Sequence, residues 1–311
     1  RIRMRVAVCL HGMLSLKQGK IDDRLAGVDD IEVPYNQFKH HLFDKNVKVD
    51  VFLHTRNPQY EEKLVDLYQP KRYLSEPFVE FDTRKFCIGS QPIDHQIKHS
   101  KSQWSRFYSL FKSVEQKRQY EEENNFKYDC VFVSRYDLLA FEDFVFSDYD
   151  MEYFHSPFSI WHMKAKNYFI RETIPDLWFF SSSEQIDDFS KIFLDLPDCA
   201  RDLAGNCTSP HFTVTKKLRD SNSKLRFVLN ADVHEDDDIS RCAIARMRNF
   251  KYWGYNEEAK IYYLKEEYKK HLNNSYWDMD WGKYYQDHWS CYKGKKSEEW
   301  SKSTSELSLF P

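Results

Sequence analysis

Two charged side chains that could bind a phosphate group or a metal ion follow the most apolar run of the sequence. The run from Cys130 to Val133 has the length and β-branched content of a strand buried on both faces, and Arg135 and Asp137 come directly after it. Ligands of open α/β sheets bind beyond the carboxyl ends of the strands, so this position favours a role in ligand binding or catalysis for the two residues. The structural alternative is an Arg and an Asp that pair only with each other.

Polar residues also follow two earlier apolar runs, residues 4–10 and 49–54, which read as buried strands. A Gly follows the first run, where it would let a ligand approach the backbone closely, although a Gly is equally ordinary in a turn. Together the three runs predict a sheet edge that collects His11, Arg56, Arg135 and Asp137.

Three further residues are candidates for proton transfer or metal binding. Asp176 begins an apolar run over residues 176–181. The structural alternative to a catalytic role is that Asp176 is simply a turn residue after Pro175. His211 lies on the apolar face of a helix that begins at Ser209, where a hydrogen-bonded interior His is the alternative. His234 follows a strand and is itself followed by four carboxylates, as in a hard-cation site or in a solvated acidic loop.

An amphipathic helix is predicted before the central strand. Trp104, Phe107, Phe111 and Val114 follow helical spacing, and Arg106 among its polar positions could face a ligand, with a solvated surface as the alternative. His95 and His99 precede this helix at a spacing that would let them share a metal ion if they were helical. Pro92 and the Gly-Ser pair before it instead predict a loop over residues 81–100.

Composition excludes several classes of protein. The chain has 46 basic and 49 acidic residues, so no overall charge favours nucleic acid or an anionic membrane. Seven cysteines without a CxxC pair predict reduced thiols, with Cys9 and Cys130 buried, and a cytoplasmic location. No apolar run approaches 18 residues, which predicts no transmembrane segment or signal peptide, although a leader or anchor removed by processing would be compatible with this sequence.

Strands alternate with helices up to residue 230, which predicts an α/β fold with a mainly parallel, Rossmann-like sheet flanked by helices. We assign residues 1–245 to this catalytic domain and residues 246–311 to an aromatic-rich, helical C-terminal extension, with a helix from Glu257 to Leu272. No GxGxxG, GxxxxGK[ST] or GxSxG motif occurs, which disfavours dinucleotide oxidoreductases, P-loop NTPases and α/β-hydrolases.

A carboxylate at the end of a buried strand can hold a divalent cation that bridges a diphosphate, and a nearby Arg can neutralise the leaving group. Sugar transfer from a nucleotide diphosphate sugar requires this arrangement, with a base that deprotonates the acceptor hydroxyl. The order RVAVCLHG, VDVFLHT, YDCVFVSRYDLL and DLWFFSS, over roughly residues 4–220, resembles that of GT-A-fold glycosyltransferases of bacterial polysaccharide clusters and large algal viruses. Tyr128-Asp129 and Arg135-Tyr136-Asp137 match the YD and RxD motifs of that family.

The resemblance implies an inverting hexosyl- or pentosyltransferase that uses a UDP-sugar, with UDP-xylose among the candidates, and an oligosaccharide or glycoprotein glycan as acceptor. It implies that Asp137 binds Mn²⁺ or Mg²⁺ and that His11-Gly12 and Thr55-Arg56 hold the nucleotide. Asp137 could bind the ion alone with water molecules, or His234 could complete the ligand set. Arg135 stands where a DxD motif has its first Asp. Asp176 is the first candidate for the catalytic base and His211 the second. A viral member would act in the host cytoplasm.

One other class of function is compatible with these residues, and a second class is disfavoured. The chain could be a non-enzymatic carbohydrate-binding or assembly protein in which the aromatic extension makes the contacts. A metal-dependent phosphoesterase would need two or more clustered carboxylates early in the sheet, and the sequence places none there.

Overall fold

The fold described below is that of a computed structural model. The structure describes residues 4–12, 31–87, 89, 92–136, 138–140, 142–156, 160–161, 172–174, 176–200, 209–228, 244–245, 253–266 and 277–278.

Fourteen strands and six α-helices are present in these residues. The strands are β1 (Arg5–Gly12), β2 (Lys48–Thr55), β3 (Arg72–Ser75), β4 (Cys130–Arg135), β5 (Leu139–Ala140), β6 (Phe154–Ser156), β7 (Ile160–Trp161), β8 (Glu172–Thr173), β9 (Trp178–Ser181), β10 (Leu225–Phe227), β11 (Ile244–Ala245), β12 (Trp253–Asn256), β13 (Ile261–Leu264) and β14 (Trp277–Asp278). The helices are α1 (Glu32–Phe38), α2 (Glu61–Tyr68), α3 (Ile93–Asn124), α4 (Ser183–Ser190), α5 (Leu196–Cys199) and α6 (Pro210–Asp220).

Eight of the strands form the central sheet, in the order β14-β10-β6-β9-β4-β1-β2-β3. Strands β1, β2, β3, β4, β6 and β10 run in one direction, whereas β9 and β14 run antiparallel to their neighbours. The predicted α/β architecture with a mainly parallel sheet flanked by helices is therefore confirmed. The apolar runs predicted as strands correspond to β1, β2, β4 and β9.

Two hydrophobic clusters cover the two faces of the sheet. Side chains alternate along β1, so that Val6, Val8 and Leu10 pack in one cluster while Ala7 and Cys9 pack in the other. The first cluster includes apolar residues of α1 and α2, and the second includes those of α3, α4, α5 and α6. The burial predicted for Cys9 and Cys130 is confirmed.

Helix α3 is longer than the sequence predicts, and the predicted loop over residues 81–100 is wrong from Ile93 onwards. Pro92 is the N-cap residue, in an extended conformation that a proline before a helix readily adopts. The Gln96 side chain exchanges hydrogen bonds with the backbone of Gly89, over 2.9 and 3.3 Å. This contact supports the first helical turn and is not visible in the local sequence pattern.

The helix predicted from Glu257 to Leu272 is also wrong for residues 257–264, which form a turn and strand β13. Strands β12 and β13 pair as an antiparallel hairpin, in which the rings of Tyr255 and Tyr262 lie 4.7 Å apart. Aromatic and β-branched residues favour strands, and this preference outweighs the helical spacing. The backbone of Tyr262 exchanges hydrogen bonds of 2.9 and 3.0 Å with Gln37 of α1.

None of the helices that the structure describes combines the length and apolar character needed to cross a bilayer.

Candidate active site

The connections of the sheet define a switch point between β1 and β4. The chain proceeds outward from β1 through β2 to β3, and then returns through α3 to β4 on the other side of β1. Crevices for ligands form beyond the carboxyl ends of strands at such a point. In the strand register, His11 lies beside Arg135 and Gly12 lies beside Thr55. The structure therefore places these four predicted residues at one edge.

Gly12 ends β1 in a backbone conformation that suits glycine. Its φ is +111°, a region that L-residues rarely adopt, and among the described residues no atom lies within 4 Å of where a Cβ atom would be. The amide of Gly12 donates a hydrogen bond of 2.9 Å to Oγ of Ser109 in α3. The end of β1 is thus fixed to α3 by the amide while space remains on the Cα side.

Three of the predicted residues meet in one cluster of charges. Arg106 of α3 forms an ion pair with Oδ2 of Asp176, and Nδ1 of His211 lies 3.3 Å from Oδ1 of the same carboxylate. Their side chains are 14%, 5% and 24% exposed respectively. Asp176 precedes β9, which runs antiparallel to β4 with Trp178 beside Ser134. The start of β9 therefore lies at the same edge as the end of β4.

Nδ1 of His211 has two neighbours on Asp176. It lies 3.3 Å from the carboxylate oxygen and 3.3 Å from the backbone amide nitrogen. Protonated Nδ1 would donate to the carboxylate and leave Nε2 with a lone pair, which is the form of a general base. Unprotonated Nδ1 would accept from the amide and leave Nε2 protonated. The protonation of Nε2 therefore depends on whether Nδ1 bonds to the carboxylate or to the backbone amide of Asp176.

A second group of polar side chains joins the ends of β1, β2 and β3 to α3. Nδ1 of His54 lies 2.6 Å from Oγ of Ser109, and Nε2 of His54 lies 3.1 Å from Oε1 of Glu76. Burial lowers the pKa of His54 to about 4, against the opposing effect of Glu76. Burial and a hydrogen bond to Glu76 raise the pKa of Tyr108 to about 12.

The donor and acceptor roles in these hydrogen bonds are mutually consistent when His54 is neutral. The Gly12 amide donates to Ser109, the Ser109 hydroxyl donates to Nδ1 of His54, and Nε2–H of His54 donates to Glu76. The group resembles a Ser-His-Glu triad, but Ser109 has no exposed surface and cannot reach a substrate carbonyl. We therefore interpret it as a structural support for the edge.

Arg56 is directed into the protein rather than over the switch point. Its guanidinium donates to Oγ of Ser105 and to the carbonyl of Val79, and it lies 4.0 Å from the ring centre of Phe78. The side chain of Arg56 is buried by these contacts. The structure thus brings Arg56 to the predicted edge and uses its charge to hold the segment after β3.

Asp137 and His234, the predicted metal ligands, lie outside the described residues. Within the described part of the chain, no three His, Cys, Asp or Glu side chains are grouped so that they could hold a metal ion.

Glu76, Tyr108 and the link made by Ser109 were not identified as site residues from the sequence. Ser105 and Ser109 are one helical turn apart among the apolar residues Trp104, Phe107 and Leu110 of α3, which is a usable signal for polar contacts beside a packed face. Nothing in the local sequence connects Glu76 to His54, because that contact depends on the pairing of β2 with β3.

No protein-family model matches this sequence, and no curated protein sequence matches it either. The resemblance to GT-A-fold glycosyltransferases therefore depends on the order of the short motifs alone.

Proposed function

We propose that this protein is a glycosyltransferase that moves a sugar from a nucleotide diphosphate sugar, foremost a UDP-sugar, to a hydroxyl group of a glycan. The observation that carries the proposal is the cluster of Arg106, Asp176 and His211 beside the switch point of the sheet. A cation, a carboxylate and a partly exposed imidazole together provide charge neutralisation and a base.

The nucleotide side of the proposed site is the edge formed by β1 and β4. The strand order 3-2-1-4 is shared with doubly wound sheets, in which nucleotides bind where the order reverses between strands 1 and 4. The conformation of Gly12 leaves space for a ligand above the end of β1. Arg135, which follows the buried residues of β4, would bind the diphosphate through its planar guanidinium.

The contacts favour His211 over Asp176 as the group that touches the acceptor. Both carboxylate oxygens of Asp176 already face Arg106 and His211, and its side chain is almost fully buried. In the proposed step, Nε2 of His211 takes the proton of the acceptor hydroxyl, whose oxygen forms a bond to the anomeric carbon. The bond from that carbon to the phosphate oxygen breaks, and its electron pair leaves with the nucleoside diphosphate. Attack opposite the leaving group inverts the anomeric configuration.

Asp176 acts as a positioning residue in this scheme. Its carboxylate would hold the ring of His211 and stabilise the imidazolium that forms when the proton is taken up. Arg106 would in turn hold the carboxylate of Asp176 in place by pairing with Oδ2.

At the proposed active site the described residues alone do not form a metal-binding group, so we assign no step to a metal ion. Asp137 and His234 remain the proposed ligands of Mn²⁺ or Mg²⁺, and the requirement for a metal ion is measured directly in the following experiment.

Calorimetric titration with UDP, GDP and their sugars, with and without Mn²⁺, tests donor binding. We expect one nucleotide to bind and Arg135→Ala to weaken its affinity at least about tenfold, since a charged hydrogen bond is lost. Asp44→Asn is the matched control, because Asp44 is an exposed carboxylate paired with Lys39 before β2, at the opposite edge. Absence of binding by any nucleotide, with and without Mn²⁺, would refute the transferase.

The identity of the base is tested by sugar transfer at saturating donor. We expect His211→Gln to lower the rate about 100-fold or more and to remove the acidic limb of the pH–rate profile, with nucleotide affinity unchanged. Asp176→Asn should also lower the rate, and its thermal unfolding must be measured because Arg106 would lose its partner. An unchanged pH–rate profile in His211→Gln would exclude His211 as the base.

A further inference from the structure

Two histidines at the start of α3 face each other outside the proposed active site. Nε2 of His95 and Nε2 of His99 lie 3.1 Å apart, and the ring centres are separated by 4.3 Å. His95 is exposed and His99 is partly exposed. Residues four apart lie on the same face of an α-helix, so the helical conformation of residues 93–100 brings the rings together.

The backbone that carries this pair is anchored on both sides. Gln96 exchanges hydrogen bonds with the backbone of Gly89, and Oγ of Ser100 donates to Oγ1 of Thr83 over 2.5 Å. Gln96 and Ser100 are buried, whereas His95 is exposed and His99 is partly exposed, each about 100° around the helix axis from the buried residue that follows it. The anchoring reduces the conformational entropy that a ligand joining the rings would have to remove.

We propose that His95 and His99 form a binding site for a divalent transition metal ion, which both Nε2 atoms coordinate. Imidazole nitrogens bind such ions at about 2.0–2.1 Å. Two bonds of that length, at the angles of octahedral or tetrahedral coordination, place the nitrogens roughly 2.8–3.4 Å apart. The observed separation of 3.1 Å falls within this interval before any metal ion has bound.

The chemistry of the pair selects the class of ion. Two neutral nitrogen donors suit Cu²⁺, Ni²⁺ and Zn²⁺, whereas Mg²⁺ and Ca²⁺ prefer oxygen ligands. Burial lowers the pKa of His99, and the neighbouring His95 lowers it further, so the neutral ring that a metal ion needs is favoured. The coordination sphere would be completed by water, because within the described residues no third metal-binding side chain joins the pair.

The site is independent of the proposed transferase chemistry. His99 precedes Arg106 by seven residues on one helix, which corresponds to about 10 Å along its axis. A metal ion at the His95–His99 pair therefore lies away from Asp176. A failure of nucleotide binding would leave this proposal unaffected.

Calorimetric titration of the full, untagged chain with Ni²⁺ at pH 7.5, in the absence of nucleotide, tests the site. We expect one ion to bind per chain and His95→Gln and His99→Gln each to weaken its affinity at least about tenfold, because each removes one of two protein ligands. His40→Gln, which changes an exposed histidine elsewhere, is the matched control and should leave the affinity unchanged. Any Mg²⁺ binding should be unchanged in His95→Gln and in His99→Gln, because Mg²⁺ prefers oxygen ligands.

Electron paramagnetic resonance of bound Cu²⁺ provides a second readout. We expect coupling to two imidazole nitrogens in the wild type and to one in either variant. Ni²⁺ affinity and Cu²⁺ spectra that are the same in the wild type and in both variants would overturn the proposal.

Discussion

His54 provides a test of the polar group that joins the sheet edge to α3. Its imidazole has no exposed surface and contacts Ser109 through Nδ1 and Glu76 through Nε2. Replacement by Asn keeps an acceptor near the position of Nδ1 and removes the titrating group. We expect His54→Asn to be less stable than the wild type at pH 7.5 and to lose less stability on acidification.

The size of the effect follows from the pKa of His54, which changes from 6.5 in the unfolded chain to about 4 in the native protein. The unfolded chain binds more protons in this interval, so the free energy of unfolding falls as the pH falls from 6.5 to 4. The stabilisation is fully present above pH 6.5. The loss is about 2 kcal/mol at pH 5 and approaches about 3 kcal/mol below pH 4, at 1.36 kcal/mol per pKa unit.

The free energy of unfolding of the wild type and of His54→Asn is measured in urea at pH 7.5 and at pH 5. Other groups titrate in both, so the informative quantity is the difference between their losses of stability, which we expect to be about 2 kcal/mol. The exposed His40, replaced by Asn, controls for the loss of a histidine as such. Equal losses of stability in the wild type and His54→Asn would refute the assignment of a depressed pKa to this residue.

Two further substitutions test buried groups elsewhere. Lys117 is fully buried and contacts Glu121 at 3.0 Å and Asp187 at 2.7 Å. Lys117→Met should lower the free energy of unfolding in urea by about 3 kcal/mol, because the two carboxylates then keep only the half-exposed Lys127 as a cation. A loss below about 1 kcal/mol would contradict this. The buried hydroxyl of Tyr136 has no hydrogen-bond partner in the described part of the chain, so Tyr136→Phe should raise the melting temperature or leave it unchanged. A marked decrease would show that the hydroxyl is satisfied.

The parts of the fold that the sequence predicts are those fixed by local apolar pattern. The strand runs ending near His11, Thr55 and Arg135 are short, β-branched and bounded by polar residues, and the structure confirms each one. The two wrong predictions have a common cause. Tertiary contacts support the start of α3 through Gln96 and the C-terminal hairpin through Gln37, and neither contact leaves a periodic signal in the sequence.

The sheet edge that carries the candidate site could be predicted from the sequence, but the side-chain contacts at that edge could not. Parallel strands deliver their carboxyl ends to one side, so residues after apolar runs could be grouped from the sequence. The pairing of Asp176 with both Arg106 and His211 depends on the antiparallel placement of β9 beside β4, which no local pattern specifies. The contact between Arg56 and Val79 likewise depends on the path of the chain after β3, which no local pattern of the sequence specifies.

Helix α3 sets the geometry of this edge because three of its residues contact three different strand ends. Ser105 binds Arg56 after β2, Ser109 binds the Gly12 amide at the end of β1, and Arg106 pairs with Asp176 before β9. These residues span little more than one helical turn, so a small rotation or shift of α3 would alter all three contacts together. The long buried face of α3, which packs on the sheet through Phe107, Leu110 and Val114, therefore fixes the register on which the proposed chemistry depends.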